Sequence, residues 1–168
     1  ASIGLSAANT FTGKSSPYAG NGVLVSNGSA VVKGNSFSRY ANSLSVTGGT
    51  LDAINNTFTN HTQALNVSGG TAYLGGDTWS ERNNITGGIA ALVSGGTAYV
   101  KGNTLSTNST VFSSGGGMLL AYVNDVSGFT TACSGCSEST TSLKHNYWGS
   151  NDPAAAMPGG LLAADWQA

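Results

Sequence analysis

Charge is scarce in this chain. Only 8% of its 168 residues are Asp, Glu, Lys or Arg, against about a quarter in an ordinary soluble domain. The six cations, Lys14, Lys33, Arg39, Arg82, Lys101 and Lys144, are scattered, and the pI is about 6.0. No basic patch is therefore available to neutralise phosphates, which excludes nucleic acid as a partner. No apolar run reaches the roughly 18 to 20 residues that a membrane-spanning helix needs. Disorder would go with high net charge and few β-branched residues. Here the net charge is −1, and Val, Ile and Thr recur on a period. No signal peptide is present, and Ala1 reads as the start of a processed, exported chain.

Cysteine is nearly absent too. Cys133 and Cys136 lie in Cys-Ser-Gly-Cys, within a polar stretch that has no helical period. A redox motif would open a helix after a strand, so this spacing reads differently. A local disulfide in an exported protein is the preferred reading. A reduced pair and a metal site are the alternatives, and a structural metal site wants four ligands.

What the chain does have is a repeat. A short polar residue recurs with a large apolar side chain two positions later: Asn9/Phe11, Asn35/Phe37, Asn56/Phe58, Asp77/Trp79, Asn103/Leu105, Asn124/Val126 and Asn146/Trp148. The steps are 26, 21, 21, 26, 21 and 22 residues. A unit of this length must stack on copies of itself to bury its apolar face. Five and three positions before most corners stand apolar pairs such as Ala30/Val32, Leu51/Ala53 and Ala98/Val100, the alternation of a strand with one buried face. Glycine turns precede these strands, as at Gly48-Gly49, Gly69-Gly70 and Gly95-Gly96. A further strand precedes each turn, with pairs such as Leu44/Val46 and Leu65/Val67. Strands this short, joined by turns too short for a helix, predict an all-β single domain. The expected architecture is a parallel β-helix of about seven rungs, roughly 30 Å long at the usual strand spacing. Residues 1–153 form the rod and 154–168 a tail. The asparagines form a corner ladder of Asn9, Asn35, Asn56, Asp77, Asn103, Asn124 and Asn146. The two longer steps place inserted residues in the loop after the aromatic, near Lys14–Gly22 and Arg82–Gly88.

This pattern resembles the right-handed parallel β-helix, or pectate-lyase-like, superfamily. The close Asn146-Tyr147-Trp148-Gly149 resembles the Asn-x-Trp-Gly turn of secreted bacterial and archaeal β-helix repeat proteins. That resemblance implies an extracellular or cell-surface location. It implies no single activity, because the fold hosts many.

Chemistry is hard to find. The seven acids do not fall in neighbouring outward columns, and His61 and His145 lie far apart in the repeat. The glycine turns lack the following helix of a phosphate cradle. The expectation is no catalysis, no cofactor and no metal. Six Asn-x-Ser/Thr sequons are close to what chance gives in a chain so rich in these residues. Asn60, Asn84 and Asn108 fall in variable loops and are the candidate glycosylation sites.

The outward positions carry the functional expectation. Apolar and aromatic side chains, among them Tyr73, Tyr99, Leu120 and Tyr122, point out of one face and mark a contact surface. The tail, with Leu161, Leu162 and Trp166, covers this strip, or a neighbouring subunit does. No capping helix precedes the first rung in this sequence, so either it stays open in an assembly, with Ile3 and Leu5 as a second contact at the end, or something outside this chain caps it. The leading expectation is a structural protein that assembles with itself into a filament or surface layer. Carbohydrate binding or processing through outward aromatics is the second. Ice binding through the Thr/Ser columns beside the inward aromatics is the third.

Overall fold

The computed structural model describes residues 2–6, 8–106 and 109–149. The chain winds in short strands. β1 (Ser2–Leu5), β2 (Thr10–Thr12) and β3 (Asn21–Val25) make the first rung. β4 (Ser29–Lys33), β5 (Ser36–Ser38) and β6 (Asn42–Val46) make the second, and β7 (Thr50–Ile54), β8 (Thr57–Thr59) and β9 (Gln63–Val67) the third. The fourth is β10 (Thr71–Gly75), β11 (Asn84–Thr86) and β12 (Ile89–Val93), and the fifth β13 (Thr97–Lys101), β14 (Thr104–Ser106) and β15 (Thr110–Ser114). β16 (Met118–Tyr122), β17 (Asp125–Ser127) and β18 (Thr131–Ser134) follow, then β19 (Thr141–Ser142). Each strand pairs in parallel with its counterpart one rung along. The result is three sheets: seven strands from β1 to β19, six from β2 to β17 and six from β3 to β18. The chain is a single-domain parallel β-helix. The expected tail lies outside the described residues.

Alternation dictates what fills the rod. In the first sheet the inward columns are Ile3–Ala30–Leu51–Ala72–Ala98–Leu119 and Leu5–Val32–Ala53–Leu74–Val100–Ala121. The third sheet contributes Val23–Leu44–Leu65–Ala91–Phe112–Cys133. The second contributes Phe11–Phe37–Phe58–Ile85–Leu105–Val126. The phenylalanine rings stack face to face, with centroids 4.8 Å apart for Phe11/Phe37 and 5.3 Å for Phe37/Phe58, close to the strand spacing itself. The turns between the third and first sheets also stack. At Gly49, Gly70 and Gly96, φ is +77°, +73° and +70°, and a Cβ would strike the carbonyl of the glycine one rung below. Only glycine meets both conditions.

The polar ladder runs along the corner between the first and second sheets. It comprises Asn9, Asn35, Asn56, Asn83, Asn103, Asn124 and Asn146, with steps of 26, 21, 27, 20, 21 and 22 residues. Each main-chain N–H donates to the Oδ1 of the next asparagine, at 2.8 to 3.2 Å. From Asn35 onward, each Nδ2 also reaches back to a strand carbonyl of the previous rung, at Leu5, Val32, Ala53, Leu74, Val100 and Ala121. The last six are buried.

Four linked expectations need correction here. The fourth corner belongs to Asn83, not Asp77, and the fourth inward apolar residue is Ile85, not Trp79. A carboxylate can accept from the preceding rung but cannot donate to the Ala53 carbonyl. Asp77 lies instead at the surface, paired with Lys101, and Trp79 is 79% exposed. The second insertion accordingly precedes the corner, over residues 76–82, rather than following it. Asn84 is consequently an outward strand residue in β11, not part of a loop.

One buried histidine sets a pH dependence. His61, between β8 and β9, is 4% exposed. The nearest backbone groups, at Thr59 and Gly87, favour its charged form, but neither ring nitrogen makes a well-formed hydrogen bond. Burial dominates and pushes its pKa down to about 4. The unfolded chain thus binds the proton more tightly than the folded one. Stability should be complete above about pH 6.5 and fall as pH drops towards 4, by about 3 kcal/mol at most. Denaturant unfolding at pH 7 and pH 4.5 should show this loss, and His61→Gln should flatten it.

Candidate functional site

The insertion over residues 76–82 builds the most featured part of the surface. Gly75 turns the chain out of β10 at φ +86°. A short 3-10 turn, Trp79–Glu81, follows. Glu81 folds back to accept from the Thr78 N–H at 2.9 Å and the Thr78 hydroxyl at 3.0 Å. Gly76 permits this, since a Cβ there would lie 2.6 Å from the Glu81 carboxylate. The Glu81 carbonyl accepts from the Asn55 N–H at 3.2 Å, which ties the loop to the rung below. Arg82 lays its guanidinium 3.5 Å from the centre of the Trp79 ring and donates to the Thr104 hydroxyl at 3.4 Å. The loop thus presents an indole that is solvent-exposed yet braced by a cation.

Two adjoining hollows flank this ridge, of about 290 and 340 Å3. One is lined by Trp79, Arg82, Val123, Asp125, His145 and Tyr147. The other lies between Asp77, Trp79, Lys101 and Val123. Tyr147 and Val123 are 47% and 52% exposed. The hollows are open to solvent and mix a few apolar side chains with polar and charged groups in similar measure. The carboxylates of Asp125 and Asp77 line different hollows. The loop does bring Glu81 towards Asp52, whose carboxyl is held above the usual range by burial and then by the Glu81 charge. No group of three or more His, Cys, Asp or Glu converges on a metal position among the described residues.

The outer face of the first sheet carries several large side chains. Tyr73 and Tyr99 are neighbours in register and stack with ring centroids 5.0 Å apart. Tyr73 is 43% exposed, and Val31 and Met118 on the same sheet 38% and 45%. Leu120 and Tyr122 are half-buried, with the Lys101 ammonium 5.2 Å from the Tyr122 ring. Ile3 and Leu5 lie on the first rung, in register with the inward residues Ala30 and Val32. Cys133 and Cys136 are joined in a disulfide. Asn60 is exposed at a corner with φ +51°, Asn84 is exposed on the second sheet, and Asn108 lies outside the described residues. That sheet's outward columns run Thr10, Ser36, Thr57, Asn84, Thr104, Asp125 and Thr12, Ser38, Thr59, Thr86, Ser106, Ser127. Asn84 and Asp125 interrupt the first of these hydroxyl rows.

Sequence reasoning missed the groove because it counted Trp79 as core. A usable signal was there: Asn83 also has an apolar residue two positions on, Ile85, and residues 75–82 are rich in turn formers. No protein-family model, curated protein or solved structure matches this chain.

Proposed function

We propose that this chain is an extracellular structural protein whose rods associate with one another into a filament or surface layer, without catalysis. The observation that carries this reading is the row Tyr73–Tyr99–Leu120 on the outer face of the first sheet, with its two rings stacked and Asp52 ending it on the side of Val31. Apolar side chains in such a row on an outer sheet face favour contact with another surface. Burying them contributes about 25 cal/mol per Å2 before the costs of association. The low charge offers little repulsion. The ladder and the Asn146–Gly149 close support placement with the right-handed, pectate-lyase-like β-helices. The expected result is concentration-dependent sedimentation above the monomer, with ordered polymers in electron micrographs. Tyr99→Glu should reduce lateral association at least tenfold, since it would desolvate a charge. A monomer at all concentrations refutes the reading.

A second reading is favoured by one specific observation, the exposed Trp79 beside the Arg82–Tyr147 groove. An indole face and a phenol offer apolar platforms to the C–H faces of a sugar, and Arg82 and Asp125 offer a donor and an acceptor to its hydroxyls. Titration calorimetry against a panel of oligosaccharides should then show binding that Trp79→Ala weakens at least tenfold. The absence of heat with every member rejects it.

A further inference from the structure

Tyr73 and Tyr99 are the one stacked pair of phenols among the described residues. Their strands, β10 and β13, pair in parallel and in register, so the two side chains leave the outer face of the first sheet side by side. Strands paired in this way lie about 4.8 Å apart. The ring centroids are 5.0 Å apart with 8° between the planes, so the rings follow the strand spacing and share one orientation. No third phenol continues the row: Asp52 precedes Tyr73, and Leu120 follows Tyr99. Tyr122 stands in the next column, opposite Lys101, with the Lys101 ammonium 5.2 Å from its ring. Tyr73 is 43% exposed, so a reagent in solution reaches the pair.

Stacked phenols differ chemically from the stacked phenylalanines of the core. A phenol gives up an electron and its hydroxyl proton to a mild oxidant, and the phenoxyl radical that remains carries spin on the carbons ortho to oxygen. Two such radicals held face to face couple before they are quenched, because their proximity replaces a bimolecular encounter. A thiol nearby would reduce the radicals first. Both cysteines of the chain are tied up in the Cys133–Cys136 disulfide, so no thiol competes.

We propose that Tyr73 and Tyr99 form an oxidative modification site, at which a peroxide and a haem peroxidase join the two rings in a dityrosine link within one rod. Each phenol loses one electron and one proton. One bond then forms between an ortho carbon of each ring. The hydrogens on those two carbons move to the phenolic oxygens and restore both aromatic rings. The O–O bond of the peroxide breaks, and its oxygens leave as two waters with the two hydrogens that the protein gave up. The link bridges β10 and β13, and so closes the length of chain that carries the insertion over residues 76–82. Both residues belong to one copy, so the link does not depend on self-association.

The test treats the full chain, at a dilution where it is monomeric, with a haem peroxidase and hydrogen peroxide. Free tyrosine in a parallel reaction shows that the oxidant is active. The product should show the blue fluorescence of dityrosine and an intact mass lower by two hydrogens. Trypsin should release peptides 40–82 and 83–101 joined together, because cleavage after Arg82 otherwise separates Tyr73 from Tyr99. Tyr73→Phe and Tyr99→Phe keep the ring but remove the hydroxyl, and each should cut the yield at least tenfold. Tyr122→Phe should leave it unchanged. The linked rod should also melt higher, since the link restrains the unfolded chain. No link while free tyrosine couples, a yield that ignores Tyr73→Phe, or oxygen addition at Met118 without any link overturns the proposal. So do links found only between rods, which would report a lateral contact instead.

Discussion

Phe58→Ala should cost about 3 to 5 kcal/mol of folding stability, the range for buried aromatic truncations. The side chain is wholly buried at the centre of the second sheet's inward column, between Phe37 and Ile85. Its ring stacks on Phe37. Collapse relieves little of the loss, because the rungs above and below are held at fixed spacing by three ladders of parallel pairing. The cavity therefore stays close to the volume removed, which places the cost at the upper end. Reversible denaturant unfolding measures it directly. A loss under about 1 kcal/mol would mean that the column is not the packed centre of the rod. Phe11→Ala should cost much less, since the same ring at the open first rung is only partly buried.

The rod was legible because its physics is repetitive. Alternating Ala, Leu and Val, the glycine turns and the corner asparagines each recur at one register, and the paired registers follow that alignment. Legibility failed at one rung for a local reason. Asp77-Thr78-Trp79 has the same outline as Asn56-Thr57-Phe58, and a break after residue 82 fits the spacing as well as a break before it. Spacing cannot separate the two, but hydrogen-bond chemistry can, since only an amide both donates and accepts. That single shift of six residues hid the surface of most interest: it removed Trp79 from the core and set Arg82 against its ring. It also brought Glu81 beside Asp52, an approach that no alignment of equal rungs would give.

Replacing Asn83 with alanine should cost roughly 3 kcal/mol or more, and replacing Asp77 about 1 kcal/mol or less. Asn83 is fully buried. Its Oδ1 accepts from the Asn56 N–H at 2.8 Å and from the Asn56 Nδ2 at 3.1 Å. Its Nδ2 donates to the Ala53 carbonyl at 2.9 Å and to the Asn103 Oδ1 at 2.9 Å. Truncation leaves the Asn56 N–H and the Ala53 carbonyl buried without these partners, and each orphan costs about 1 to 3 kcal/mol. Among the described residues Asp77 makes a surface pair with Lys101, whose carboxylate side is 76% exposed and screened by water. Asn83→Asp sharpens the comparison. It keeps the acceptor and the shape but removes the donors and buries a charge in the corner, so it should be at least as damaging as alanine at neutral pH. Protonation of that carboxyl would restore one donor, and the defect should shrink as the pH falls towards 5. Unfolding curves for the three variants at pH 7 and pH 5, referenced to the unmodified chain because His61 also titrates in this window, separate the outcomes. Equal costs at positions 77 and 83 would mean that the corner needs only a turn-forming residue. A larger cost at 83, eased by acid in the aspartate variant alone, would tie the stability of the rod to amide-to-amide bonding from rung to rung.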